Sequence, residues 1–506
     1  MMTKFYSFVF IITCFTINSF AQSITYSELD RSDLKQTEFE VIGKVKNNIL
    51  VYKNLRDNHA ISVYNSDMKQ LDRIKYSFLP EKLINTDFIV YDDFAYMVYQ
   101  YQKKNIVYCM AVKIGSDGNK INEPFELDTT QISYWASNKF YSFVNSDNKQ
   151  KLALIKVNSR NDKLHIVTVC SFNTELKLLQ KVQMSLSMPQ RFDYLSEFQI
   201  DNLGNVAFLK TVQNSQNDNI NKLSIIIKPA QAETYAEYDI HLNNAYLDEV
   251  KLKSDNVNNK YLITSFYSKT RRGNVDGLYT NIWDVSKASS TTNVLIPLGD
   301  EIRKEAKTES STRTAFNDFF LRNIVIKKDG GFILVTESFY TSSRGGTYNR
   351  WDYLFGSPYS YGSDYYMWNP YGYSYPWSRW NNSNRQQVRY HAENVAVFSF
   401  DNTSNLLWTN VINKTQYNDE SDGYIGYQLI NTGDQIHFLF NQEERRSNLL
   451  TDQSITPGGQ ITRNPTIKNL DRGYDFMPRY GKQVGLRTTI FPCMYRNYIC
   501  FAKVEL

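Results

Sequence analysis

Apolar and polar residues alternate in short runs along almost the whole chain, and clusters of Asn, Asp, Gly and Ser break the runs. A period of two places alternate side chains on opposite faces of an extended strand. Helical periodicity longer than two turns is absent from the pattern, so the sequence predicts an all-β fold.

The runs repeat. SVYNSDMKQLDRI (62–74), AVKIGSDGNKINEPF (111–125), VCSFNTELKLLQKV (169–182) and VFSFDNTSNLLWTNV (397–411) each read as a strand, a polar turn and a second strand. Asn, Asp and Ser at the turns suit Asx-turn or left-handed geometry. A further pair of strands precedes each, as in GKVKNNILVYKN (43–54), FQIDNLGNVAFLKT (198–211) and VIKKDGGFILVTESFY (325–340). ITSFYS and VTESFYT align Ser265-Phe266-Tyr267 with Ser338-Phe339-Tyr340. The unit is thus four strands, recurring about every 45–60 residues, a spacing near that of propeller blades. Units are expected near 36–80, 83–130, 138–188, 194–243, 246–298 and 316–416, with a looser one from 424 to the end. A four-stranded blade cannot cover both its faces alone, and packing in a ring buries them. The expectation is one β-propeller domain over 22–506 with about seven blades, six or eight being the other counts. Its last strand, Ile499 to Leu506, completes a blade with N-terminal strands.

KKDGGFILVTESFYTSS, ENVAVFSFDNTSNLLWTNV and the ending PRYGKQV…FPCMYRNYICFAKV are similar to a group of exported β-propeller-like envelope proteins of Bacteroidota-type bacteria. The resemblance covers the C-terminal half best. It implies a propeller fold and an envelope location, and it carries over no catalytic residue.

The chain begins MMTKFYSFVFIITCFTINSFA: Lys4, an apolar run, then Ser19 and Ala21 before Gln22. This reads as a signal peptide over 1–21, with a rival reading in which Cys14 is lipidated. Export to the periplasm, the outer membrane or the cell surface follows. No later segment is apolar for long enough to span a bilayer. The formal charge of +5 over 506 residues is mild and dispersed, which argues against a nucleic-acid partner.

In TIFPCMYRNYICFAKVEL, a two-residue turn at Arg496-Asn497 would set Tyr495 against Tyr498, Met494 against Ile499 and Cys493 against Cys500. Directly opposed residues lie about 4.5–5.5 Å apart at Cα, within disulfide reach. Cys493 and Cys500 are therefore a candidate disulfide or two buried apolar residues. Cys109 and Cys170 sit in apolar strands and read as core.

Catalytic signatures are sparse. His59, His165, His241, His391 and His437 show no metal-ligand spacing, so no metal or other cofactor is expected. A propeller glycosidase would need carboxylates converging on the axis. Asp92, Asp93, Asp284, Glu337 and Glu393 are the candidates. Asp92 and Asp93 fit a turn, and Glu337 reads as a solvated strand residue. Asp128-Thr129-Thr130 matches a short O-glycosylation acceptor pattern.

The insert at 341–393 separates the second and third strands of the sixth unit. It holds Tyr359, Tyr361, Tyr365, Tyr366, Trp368, Tyr371, Tyr373, Tyr375, Trp377 and Trp380, framed by Arg344, Arg350, Arg379, Arg385 and Arg389. Long loops of this kind are usually functional or disordered. Such rings suit protein interfaces and sugar faces, and they equally suit a low-complexity loop or packing on the propeller itself. With no catalytic set in view, the expected function is a non-catalytic binding or scaffold propeller of the envelope. It would engage a protein or glycan through these rings. The alternative is a carbohydrate-binding or carbohydrate-active propeller, a lectin or a glycosidase.

Overall fold

The computed structural model describes residues 22–506, except 134–139, 162, 190–192, 215–217, 308–310, 344–345, 349–387, 420, 445–446 and 465–472. The leader expected at 1–21 lies outside the described residues.

The fold is all-β. Among the described residues eight antiparallel four-stranded units follow one another, the first seven running in chain order. Their first strands are Glu38–Val45, Asn85–Val90, Tyr141–Asn145, Asp193–Ile200, Tyr246–Asp255, Phe319–Ile326, Gln428–Asn431 and Tyr474–Phe476. The sheets of units four and five are joined by a single backbone bridge, Ile220 with Leu247. The count corrects the expected seven: the loose last unit is two. Its first strands are only four and three residues long and are flanked by 3-10 turns at Asp422–Tyr424 and Pro478–Tyr480. Alternation that short leaves no readable pattern.

The fourth strand of unit eight comes from the other end of the chain. Ser23–Tyr26 pairs with Tyr498–Glu505, and Ser27 continues the bonding with Phe501. The chain then crosses to unit one. Asp33 accepts from Ile499 N through its backbone and pairs through its carboxylate with Lys53, both side chains being buried.

Period-two alternation sends each strand's apolar residues to both neighbouring units. In unit six, Phe332 and Leu334 pack toward unit five, while Ile333 and Val335 pack toward unit seven. The same division joins every consecutive pair. Unit eight packs on unit one through Ile490, Met494 and Phe501 against Val41, Ile49 and Val51. These interfaces are the core, and hydrophobic burial there is the dominant stabilising term.

The turns follow the expected chemistry. Asn65 Oδ1 accepts from the amides of Asp67 and Lys69, Asn173 from Glu175 and Lys177, and Asp401 from Thr403 and Asn405. Each turn carries a left-handed residue, Met68, Leu176 and Ser404 respectively. Arg496 and Asn497 form the expected two-residue turn, with φ of 48° and 70°. The register is as the sequence predicts: Tyr495 with Tyr498, Met494 with Ile499 and Cys493 with Cys500.

Candidate functional site

The first strand of each unit lies at an end of its sheet, save that Tyr246–Asp255 of unit five makes one bridge to unit four, so most of one edge of its backbone has no strand partner there. Such groups must be satisfied by other means. Units four and five show how. Glu197 Oε2 accepts from Leu252 N at 3.3 Å, Gln199 Oε1 accepts from Ser254 N at 3.0 Å, and Gln199 Nε2 donates to the Leu252 carbonyl. Polar side chains are thereby drawn to the first strands.

β-Bulges then re-aim them. The register slips between Val41 and Gly43, Ser196 and Gln199, Leu247 and Val250, and Leu321 and Asn323, all in first strands. A bulge inserts an unpaired residue and turns its side chain. Glu197, Glu249 and Arg322 are such residues, and Glu197 has φ of 58°. Three charged clusters lie on or beside these strands, and the bulged residues contribute to two of them.

In the first cluster, Glu337 is only 2% exposed, against the expectation of a solvated carboxylate. Its neighbours explain the burial. Arg322 Nε lies 3.2 Å and Arg479 Nη2 3.3 Å from Oε2. Lys414 Nζ lies 2.9 Å from Oε1, as an ion pair rather than an aligned hydrogen bond. Arg479 also reaches Asp422 Oδ2 at 3.2 Å. Burial by itself would raise the Glu337 pKa, but Lys414, Arg479 and Arg322 outweigh it and hold it at about 2. Burial presses Lys414 down to about 8 even with Glu337 beside it. Tyr340 OH donates to nearby Glu393 Oε1 at 2.8 Å. Glu393 is 5% exposed, and its Oε2 has no hydrogen-bond partner among the described residues. His391 stacks on Tyr340 with centroids 4.4 Å apart.

In the second cluster, Lys251 is buried between two carboxylates, 2.6 Å from Glu249 Oε1 and 3.3 Å from Glu197 Oε1. Burial opposes its charge, but Glu197 and Glu249 together raise its pKa. Burial raises that of Glu197.

The third cluster differs. Glu40 on the first strand of unit one faces Asp87 on the first strand of unit two and Lys482 of unit eight in electrostatic range. Among the described residues no cation is in contact with Glu40, and its Oε2 has no hydrogen-bond partner. Burial pushes its carboxyl up to about 8. The attraction of Lys482 is too weak to reverse that, and the negative charge of Asp87 adds to it. Burial lowers the Lys482 pKa. Asn85 Nδ2 donates to Asp87 Oδ2 at 2.8 Å, which orients that carboxylate. Glu40 keeps partial solvent contact although protein surrounds it. A protonated carboxyl beside a second carboxylate can donate a proton to a leaving oxygen.

The other sequence candidates fall elsewhere. Asp92 and Asp93 are exposed in the first turn of unit two. Asp284 accepts from the amides of Ser286 and Lys287 in a turn. Asp128 is buried on Lys156 at 2.6 Å, and Lys156 also donates to Thr130. Cys493 and Cys500 are buried with sulfurs 3.0 Å apart, and Cys109 and Cys170 are core. Tyr359, Tyr361, Tyr365, Tyr366, Trp368, Tyr371, Tyr373, Tyr375, Trp377 and Trp380 lie outside the described residues. What the structure describes of the insert is its root, where the flanking strands extend to Phe332–Ser343 and Val388–Phe400. Among the described residues no three His, Cys, Asp or Glu side chains are grouped to hold a metal, and no helix is long and apolar enough to cross a membrane. A cleft of about 690 Å³ opens on unit four, lined by Asp193, Lys210, Glu237 and His241 among others. Lys210 and Glu237 pair there at 2.7 Å.

Glu40, Asp87, Glu197, Glu249, Lys251, Arg322, Arg479 and Lys482 escaped the sequence reading. Their signal was a charge inside an apolar strand, as in EFEVIGKV and YLDEVKLKSD. At Glu197, Glu249 and Arg322 a bulge also shifts the alternation by one residue, so the charge reads as a surface position.

No family profile matches the chain, and no curated protein matches its sequence. Among solved structures it is similar to prolyl oligopeptidase B from Galerina marginata, at 7% identity and a TM-score of 0.42, over 92% of this chain and 56% of that one. It is similar to the polysaccharide lyase Uly1, at 8% identity and 0.39, over 96% and 99%. It is also similar to a family PL25 ulvan lyase, at 9% and 0.36, over 82% and 90%. The chain spans about half the length of the prolyl peptidases it matches. Likeness this slight carries no argument about activity. These similar proteins are nonetheless peptidases and polysaccharide lyases, so they lend nothing to the expectation of a non-catalytic scaffold. That expectation is withdrawn.

Proposed function

We propose that the eight units close into a β-propeller and that the first strands ring an axial opening which binds and cleaves a glycan. The observation that carries this reading is the third cluster: Glu40, without a cation in contact, set beside Asp87 and Lys482 from neighbouring units. Glu40 would protonate the glycosidic oxygen as it leaves. Asp87 would act as the second carboxylate, either as nucleophile or as base toward water. Lys482 would hold the charge that develops as Glu40 loses its proton. The packing of unit eight on unit one supports ring closure, and the leader-like start of the sequence makes an extracytoplasmic glycan the fitting substrate.

The test is release of reducing ends from a panel of bacterial, algal and plant polysaccharides. The protein is expected to cut at least one. Glu40→Gln and Asp87→Asn should each slow that cut by roughly 10²–10⁴-fold, the usual worth of general acid–base catalysis. No cleavage and no retardation of any polysaccharide in affinity electrophoresis would overturn the reading.

A further inference from the structure

Arg322 is placed as a receptor. It is the bulged residue of its strand: Leu321 faces Thr336 and Asn323 faces Val335, and nothing stands opposite Arg322. Its guanidinium sits 5.5 Å from the Phe320 ring and 5.5 Å from the Phe339 ring. Nε is occupied by Glu337. Among the described residues no hydrogen bond engages Nη1 or Nη2, and the side chain keeps 26% exposure. Two rings and one carboxylate therefore fix the plane while the outer edge stays open.

The charge around it favours an anion. Three cations, Arg322, Arg479 and Lys414, meet on the single carboxylate of Glu337, while Asp422 stands on Arg479 and Glu393 is held by Tyr340 beside them. An oxyanion at the open edge would take a two-pronged pair of charge-assisted hydrogen bonds. It would add to the cluster without displacing Glu337.

We infer that Arg322 receives the carboxylate or sulfate of an acidic glycan, which makes the substrate class of the axial site an anionic polysaccharide. This rests on the glycan reading above and adds the charge of the substrate to it.

Binding is measured by calorimetry in the Glu40→Gln background, so that the chain is held without being cut. The probes are oligogalacturonate, a sulfated galactan oligosaccharide and a neutral galactan oligosaccharide of matched length. One acidic probe should bind more tightly than the neutral one, and which one wins separates carboxylate from sulfate. Arg322→Gln should weaken that probe by roughly 10- to 100-fold and leave the neutral one unchanged. Arg322→Lys keeps a cation on Glu337 but loses the planar fork, so it should fold and still bind the acidic probe weakly. Equal binding of acidic and neutral probes, or acidic binding that Arg322→Lys leaves intact, overturns this inference while the glycan reading stands. Binding of none of the probes, with no cleavage in the panel above, removes both.

Discussion

Glu337 and Glu40 are the same side chain in similar surroundings, yet they behave in opposite ways. Both are hemmed in by protein on sheets that meet at the first strands. Three cations meet Glu337, and its carboxyl sits at about 2. Among the described residues none is in contact with Glu40, and its carboxyl sits at about 8. Burial acts on both in the same direction, so the count of cations in contact decides the outcome. The contrast separates two kinds of buried charge. A compensated carboxylate belongs to the fold, because removing it strands its partners. An uncompensated one costs stability and is kept for what its proton can do.

The sharpest way to break the contrast is to remove each carboxylate. Glu337→Ala leaves Arg322, Arg479 and Lys414 facing one another, and should cost about 3–5 kcal/mol in urea unfolding. Glu40→Gln removes a group held in its neutral form, and should leave stability equal or higher. Equal losses from the two substitutions would erase the distinction.

The pH dependence of stability should separate them next. The folded pKa of Glu337 lies below its ordinary value of 4.5, so its contribution is complete above that value. It should be lost as pH falls from about 4.5 toward 2. The folded pKa of Glu40 lies above the same ordinary value. Folding therefore favours its proton, and its contribution should decline as pH rises from about 4.5 to 8. Subtracting the Glu40→Gln curve from that of the intact protein isolates the second slope. A flat difference between pH 5 and 8 would contradict it.

The smallest expected effect is at the turn carboxylates. Asp92 and Asp93 are exposed, so Asp92→Asn and Asp93→Asn should each change stability by no more than about 0.5 kcal/mol and leave cleavage intact. A loss of cleavage at either would move the chemistry away from the first strands.

The sequence made the sheets legible and hid the site, for related reasons. Wherever alternation runs unbroken it reports both the strand and its burial, as in the second strand of unit six. Local turn chemistry is equally readable, as the Arg496-Asn497 turn and the Asn65, Asn173 and Asp401 turns demonstrate. Bulges interrupt the alternation, and Glu197, Glu249 and Arg322 sit on them. Glu337 misled for a different reason. A strand Glu is usually solvated, and three of its partners come from elsewhere in the chain: Arg322 from the preceding strand, Lys414 from beyond the insert and Arg479 from unit eight. The fourth strand of unit eight comes from residues more than 400 positions away; the expectation that the last strand completes a blade with N-terminal strands came from the need to close the repeat, and Ser23–Tyr26 is the strand that does so.

The most direct test of the contrast is a carboxyl ¹³C NMR titration of the protein labelled at glutamate, with Glu40→Gln and Glu337→Gln used to assign the two resonances. The resonance lost in Glu40→Gln is expected to titrate near pH 8, and the one lost in Glu337→Gln to remain ionised down to about pH 2–3. If the Glu40 resonance titrates instead between about pH 4 and 5, its carboxyl is an ordinary solvated one, and the assignment of chemistry to the first strands fails.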